Sequence, residues 1–212
     1  MPARVSRRVL WAASIRSLSQ KTVRHTFPVA FPFMSEGTAK GLMTGMDYIW
    51  KYETPEGFDD LVMCGDDEAL TGLWFEGSRD DVHEARGCES RETPVFHDAR
   101  RWLDEYFAGH DPGFMPKYRI EGLTPFRQAV IDEMLRIPYG ATASYGDIAR
   151  SIAKKRGGRV SAQAVGGAVG WNPICIIIPC HRVIGANGSL TGYGGGLENK
   201  VSLLAHEGIW LR

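Results

Sequence analysis

"NPICIIIPCHRVIGANGSLTGYGGG", Asn172 to Gly196, is the stretch on which the reading of this chain turns. Its apolar run, Cys175-Ile176-Ile177-Ile178, has the β-branched composition and the length of a buried strand. A buried strand is expected to stop at a turn residue. This one runs through Pro179 into a thiol, an imidazole and a guanidinium at Cys180, His181 and Arg182, and then into a glycine-rich loop. A lone cysteine is more often inert core than nucleophile, yet four features argue for chemistry. Pro179 breaks strand pairing, so the thiol is expected at an element's end, where it can be exposed. His181 and Arg182 form a locally electropositive setting that favours thiolate. The glycines let the backbone fold over a ligand. Tyr193 adds a hydroxyl donor inside the loop. An ordinary thiol, with pKa ~8.5, is only a few per cent ionised at neutral pH, so a nucleophile needs such help.

Upstream of this stretch lie short helical patterns. Thr124 caps and Pro125 opens a helix carrying Phe126, Val130, Ile131, Met134 and Leu135, stopped by Pro138 and Gly140. "TASYGDIARSIAKKRGG" predicts a second helix with Ile148, Ala149 and Ile152 inward, closed by Gly157-Gly158. "RVSAQAVGGAVGWNP" predicts a third, capped by Ser161 and ended before Pro173. Two short helices joined by a brief basic connection have the pattern of a helix-turn-helix, and equally of any packed helix pair. Lys154, Lys155, Arg156 and Arg159 fall in that connection, where phosphates would lie; a charge run is also what a solvated face looks like. The third helix is built of small residues, Ala162, Ala164, Gly166, Gly167, Ala168 and Gly170, although each glycine costs ~1 kcal/mol against alanine. Something must approach its backbone closely, either a packed neighbour or a nucleic-acid groove.

Further upstream, "MDYIWKYETPEG" reads as a strand, and "DDLVMCGDDEALTGLWFEG" as a strand, a turn at Gly65-Asp66-Asp67 and a second strand. "TPVFHDARRWLDEYFAG" places Val95, Phe96, Ala99, Trp102, Leu103, Tyr106 and Phe107 on one helical face, with Thr93 as cap, Pro94 in the first turn and Gly109 as stop. Charge divides the chain likewise. Residues 1–45 carry seven Lys/Arg and one acid, residues 46–110 six against seventeen, and residues 111–212 twelve against seven. An acidic middle beside a basic C-terminal half suggests two domains and a polyanionic partner for the second. The expected division is a basic tail over 1–45, an α+β domain over 46–118 and a second domain over 119–212 that holds the basic connection and Cys180. The tail's Arg- and Ser-rich composition resembles a transit peptide, but it reads more simply as a dispensable disordered segment before Met46. No apolar run reaches the ~18 residues of a membrane span. The four cysteines lack disulfide spacing, which points to a reducing compartment: the cytoplasm of a bacterial-type cell or the nucleus of a eukaryotic one.

"IPCHRVIGANGSLTGYGGGLENKVSLLAHEG", with the upstream "NP", the small-residue helix, "SYGDIA" and "TPFRQAV", resembles the O6-alkylguanine-DNA alkyltransferases, also called methylated-DNA–protein-cysteine methyltransferases. The similarity is strong over 123–208 and looser from 46. It implies an α+β fold with a small ribonuclease-H-like N-terminal domain and a C-terminal domain bearing a winged-helix-type helix-turn-helix. It implies single-turnover repair of double-stranded DNA carrying O6-alkylguanine, and O4-alkylthymine, by a monomer without cofactor or membrane. The damaged base is flipped from the minor groove and its alkyl group passes to Cys180. The resemblance further implies that His181 takes the thiol proton through a water, that Glu207 orients His181, and that Asn172 supports the turn into the site. Tyr193 would assist the guanine leaving group. Val183, Gly194, Gly195 and Cys175 would line the base pocket with the Cys180 backbone, and Tyr145 would press on the adjacent phosphate. Gln163 and Ala164 would face the DNA with Lys154, Lys155, Arg156 and Arg159.

One position departs from the family. Where relatives commonly place an arginine that fills the gap left by the flipped base, this chain has Gln163. Some relatives hold a structural zinc; here Cys64, His83, Cys88 and His97 lack regular ligand spacing, and no metal is expected. Two other readings share the residues: a DNA-binding regulator using Cys180 as a sensor, and a cysteine hydrolase using Cys180, His181 and Glu207.

Overall fold

Strand β1, Tyr48–Tyr52, buries both its ends, and β2, Leu61–Gly65, pairs antiparallel with it. The chain then turns at Asp66, whose Oδ1 accepts from the Glu68 and Ala69 amides, and returns as β3, Leu70–Phe75. A side-chain acceptor two residues ahead is the reason aspartate suits a tight turn. The two-residue β4, Glu89–Ser90, adds parallel to β1, so the sheet runs β3-β2-β1-β4. This computed structural model describes residues 48–78 and 88–210, all within one compact unit, Met43–Arg212. The expected tail over 1–45, Met46 and His83 lie outside the described residues.

Helix α1, Pro94–Phe107, is built by local rules. Thr93 accepts from the Phe96 amide, proline opens the first turn, and Gly109 sits at φ +87°, where a side chain would be strained. Its apolar stripe, Val95, Phe96, Ala99, Trp102, Leu103 and Tyr106, is buried. Helix α2, Pro125–Met134, has the same opening, with Thr124 accepting from Arg127. Helix α3, Tyr145–Arg156, begins in a full capping box between Ser144 and Asp147, and α4, Ala162–Val169, begins at Ser161. Gly157 and Gly158 link them at positive φ. A parallel pair, β5 (Ala143–Ser144) and β6 (Val183–Ile184), lies between the helices, and α5, Leu197–His206, closes the chain's fold. The architecture is mixed α+β around a single core of buried residues that runs from Tyr48 to Leu203.

The apolar run that reads as a strand is not one. Only Ile174 bridges the sheet, against Leu73, through Leu73 N–H to Pro173 O at 2.8 Å and Cys175 N–H to Leu73 O at 2.9 Å. Residues 175–178 then turn, with Ile178 N–H donating to Ile174 O and Ile176 at φ +64°. The cause is Asn172. Its Oδ1 accepts from Ile174 N–H, and its Nδ2 donates to Ile174 O and Ile178 O. An amide that satisfies both ends of a five-residue loop outcompetes a strand ladder and holds a β-branched residue in the left-handed region, at a cost of about 1–3 kcal/mol.

Candidate active site and nucleic-acid interface

The Asn172 turn delivers Cys180 into a one-turn 3-10 helix, Cys180–Arg182. Three residues per turn send successive side chains out about 120° apart. Cys180 faces Asn172 and Tyr193, while His181 and Arg182 both reach Glu207 at the end of α5. All four of Cys180, His181, Arg182 and Glu207 are buried, and His181 is wholly so.

Two expectations fail here. The thiol is not exposed: Cys180 is 6% accessible. Arg182 is not a cation for the thiol either. Its Nε lies 2.9–3.0 Å from both Glu207 oxygens and its Nη1 donates to Ile137 O at 2.8 Å, so its charge is spent on the carboxylate. Burial accordingly pushes the Cys180 thiol up, against the Asn172 amide, the Lys200 charge and the Tyr193 hydroxyl, which act downward. The resting residue is a thiol that must give up a proton before it can attack.

Tautomer logic shows which nitrogen of His181 is open to a proton. Glu207 is pushed up by burial, but the hydrogen bonds and charges of His181 and Arg182 outweigh this and bring it to about 2. It is a carboxylate, which only accepts. His181 Nε2, 2.7 Å from Glu207 Oε1, therefore carries the ring proton. The other nitrogen, Nδ1, is buried and has no hydrogen-bond partner among the described residues. Burial also lowers the His181 pKa, against the raising effect of Glu207, so the imidazole is neutral at pH 7 with one bare lone pair.

The loop over the thiol is fixed by its packing. A Cβ on Gly195 would lie 2.5 Å from the Phe75 ring and 2.8 Å from the Tyr193 ring, so no other residue fits. Gly195 O accepts from Asn199 Nδ2 at 2.7 Å, and the same amide reaches Asp59 Oδ2 at 2.8 Å. The Tyr193 hydroxyl is buried with no partner of ordinary geometry; burial first, and the Cys180 thiol second, push its pKa well above the usual phenol. It stays a protonated donor close to the Cys180 thiol. Gly194 is half-buried beside it. Cys175 is buried, with its N–H on Leu73. Val183 spends its carbonyl on Lys200 Nζ, 2.7 Å away.

Sequence reasoning missed Lys200 and Tyr106. Lys200 is fully buried 5.8 Å from the Tyr193 ring centroid and is the cation that faces the thiol. It shares the buried face of α5 with Asn199, Ser202, Leu203 and Leu204, so no apolar period in the sequence marks it as buried. In the sequence Tyr106 belongs only to the α1 stripe; its hydroxyl reaches Glu207.

On the outer side, α4 buries Val165, Ala168 and Val169 and leaves Ala162, Gln163, Ala164 and Gly167 in solvent. Among the described residues no element covers that face: a Cβ on Gly167 would meet nothing within 4 Å, and one on Gly166 only the Tyr145 ring. Tyr145 bridges the two regions, with its ring on α4, its hydroxyl donating to Thr191 O at 3.4 Å, and the Cys180 thiol close enough to raise its pKa after burial. Lys154, Arg156 and Arg159 are exposed and make no ion pair among the described residues, whereas Lys155 pairs with Glu133. Among the described residues no three His, Cys, Asp or Glu side chains gather as metal ligands. No helix among them is long and apolar enough to cross a membrane.

Residues 125–209 match the family described as 6-O-methylguanine DNA methyltransferase, DNA binding domain. A methylated-DNA–protein-cysteine methyltransferase of Methanosarcina acetivorans is 41% identical over 157 residues, which is 74% of this chain and 96% of that protein. The crystal structure of Mycobacterium tuberculosis O6-methylguanine methyltransferase superposes with a TM-score of 0.65 at 40% identity, covering 76% of this chain and 93% of that one. Mycobacterium tuberculosis OGT in complex with DNA gives 0.63 at 39% identity, over 76% and 92%.

Proposed function

Because the chain belongs to the methylated-DNA–protein-cysteine methyltransferase family, we propose that it repairs O6-alkylguanine in double-stranded DNA by moving the alkyl group irreversibly to Cys180. The observation that carries this is the bare, buried Nδ1 of a neutral His181, locked by Glu207, on the residue that follows a buried thiol. His181 Nδ1 takes the thiol proton, through a water in the family's mechanism. The sulfur attacks the alkyl carbon, an S–C bond forms, and the bond from carbon to guanine O6 breaks. The electron pair leaves on the base, where the Tyr193 hydroxyl donates to it. The thioether has no route back, so each molecule acts once. O4-alkylthymine would react by the same displacement.

A thiol that is 6% accessible cannot reach a stacked base, which supports flipping of the lesion out of the helix. The bare outer face of α4 suits the minor groove, where readout is degenerate and repair is independent of sequence. Lys154, Arg156 and Arg159 would supply salt-sensitive phosphate contacts. This reading makes α3 and α4 a winged-helix-type helix-turn-helix. The strand order β3-β2-β1-β4, with β4 parallel to β1, supports a ribonuclease-H-like label for the N-terminal part. The protein would work as a monomer, in the reducing compartment that holds the genome. The test is intact mass after incubation with duplex DNA containing O6-methylguanine. A gain of one methylene, ~14 Da, on the peptide holding Cys180 is expected; an unchanged mass, or turnover without mass gain, rejects the reading.

Two expected results follow from it. Gln163, exposed in the first turn of α4, is the wedge in place of arginine. Gln163→Ala should slow repair of duplex DNA about tenfold or more while leaving reaction with free O6-alkylated guanine, which needs no flipping, within about twofold. Equal slowing on both substrates would show that Gln163 supports the fold instead. Residues 1–45 are proposed to be dispensable, with domains at 46–118 and 119–212. A chain beginning at Met46 should keep its transfer rate at physiological salt, and a large loss there would refute this.

A further inference from the structure

Tyr106 ends the buried stripe of α1, 101 residues before Glu207 in the chain. Its hydroxyl donates to Glu207 Oε1 at 2.9 Å and lies 3.5 Å from His181 Nε2. The ring cannot swing away. It stacks on Trp102 at 5.5 Å and meets Phe107 and Tyr139 edge-on at 5.3 and 5.9 Å. Its own carbonyl accepts from His206 Nε2 at 2.7 Å, which ties the end of α1 to the end of α5. The side chain is fully buried. An apolar ring would fill this space equally well, yet the one polar atom on it lands on the carboxylate that holds the base.

Glu207 Oε1 thus receives three donors, Tyr106 Oη, His181 Nε2 and Arg182 Nε, while Oε2 receives Arg182 Nε and the Gly140 amide. Arg182 and Gly140 fix the carboxylate from one side. Tyr106 closes the other side, so Oε1 cannot rotate away from the imidazole. We propose that Tyr106 is a positioning residue for alkyl transfer, holding Glu207 Oε1 against His181 Nε2 so that Nδ1 is the nitrogen presented to the thiol. This rests on His181 serving as the base. It places one support of the reaction on α1, outside the segment that carries the cysteine.

The hydroxyl also shares the carboxylate's negative charge. Without it, more of that charge is focused on His181, which then holds a proton more tightly. The other groups facing this cluster are Arg182, Tyr139, Lys200 and His206, and none of them is altered by removing one oxygen from Tyr106. Tyr106→Phe keeps every ring contact. In single-turnover transfer from O6-methylguanine duplex, the acid limb of the pH–rate profile should move to higher pH by roughly half a unit to one unit. The rate at pH 7 should fall by up to about threefold, by up to about tenfold on the acid limb itself, and rejoin that of the unsubstituted protein at higher pH, with DNA affinity unchanged. Incorporating 3,5-difluorotyrosine at position 106 keeps the ring and strengthens the donor, and it should move the limb the opposite way even if Tyr106→Phe folds poorly. A uniform loss of rate with an unmoved midpoint in Tyr106→Phe, or no displacement with the fluorinated side chain, would overturn the inference and leave the proposed activity standing. No mass gain in the unsubstituted protein would overturn both.

Discussion

Cys180→Ser is expected to abolish transfer, with a loss of at least about 10³-fold, while DNA binding stays within about twofold. Serine is close to isosteric, so the buried site can keep its packing and its contacts with Asn172 and Tyr193. What it cannot do is ionise. Burial already pushes the thiol up, and the site compensates only in part, with one amide, the Lys200 charge, one hydroxyl and a backbone hydrogen bond. A hydroxyl, many units less acidic than a thiol, is beyond the reach of a neutral histidine whose own basicity burial has lowered. The cations proposed to meet the phosphates stand at and beyond the far end of α3 and are untouched. The readout is intact mass against time alongside an equilibrium binding curve. Transfer by the serine form at a comparable rate, or a mass gain that persists on Cys175, would remove Cys180 from its role.

Glu207→Gln is expected to damage both stability and chemistry. The carboxylate takes hydrogen bonds from Tyr106, His181, Arg182 and the Gly140 amide. Removing its charge leaves a buried guanidinium without a counter-ion, a change that costs about 3–5 kcal/mol. The sign with pH is fixed by the shifts. Glu207 titrates near 2 in the folded chain instead of 4.5, so its contribution is fully present above pH 4.5 and is lost as pH falls from there to about 2. That shift corresponds to about 3 kcal/mol. His181 adds to the same trend, because below its ordinary pKa of 6.5 the unfolded chain binds a proton that the buried ring refuses. Urea unfolding at a series of pH values should show a steep acid loss in the unsubstituted protein and a flatter one below pH 4.5 in Glu207→Gln. Transfer should slow by roughly 10²-fold at pH 7, since His181 loses its orienter, and recover in part towards pH 9 as the thiol ionises unaided. Equal acid slopes would show that the carboxylate is not ionised in the fold.

Much of the scaffold is legible in the sequence because it is made locally. Thr93, Thr124 and Ser161 mark helix starts by what their side chains do within three residues, and the α1 stripe needs only a period of 3.6. The 175–178 run is misread for a physical reason. A β-branched apolar run is a strand signal only if nothing nearby offers its backbone another partner, and Asn172 does. Helix α5 carries no clear apolar period because its buried face holds Asn199, Lys200 and Ser202 beside Leu203 and Leu204, with Asn199 reaching Asp59 and Lys200 reaching Val183. The same distance hides Arg182 and Tyr106. Beside Cys180 in sequence, Arg182 looks like a charge for the thiol, but its partner is twenty-five residues away. Tyr106 looks like core, because nothing in α1 says where its oxygen points.

The hydrogen bonds around Leu73 carry a consequence for solubility. Strand β3 is the outer strand of its sheet, with the apolar sequence "LTGLWF". Its free side is covered by two irregular segments: Lys117 and Arg119 bracket Leu70, and Pro173 and Cys175 bracket Leu73. An uncovered apolar edge is a template on which other chains add strands. The turn that presents the nucleophile is therefore also a guard on that edge. Any change that loosens it, whether by substitution at Asn172 or by a bulky group pressed against its inner side, bares a strand that invites self-association. Loss of activity and the onset of aggregation would then share one origin.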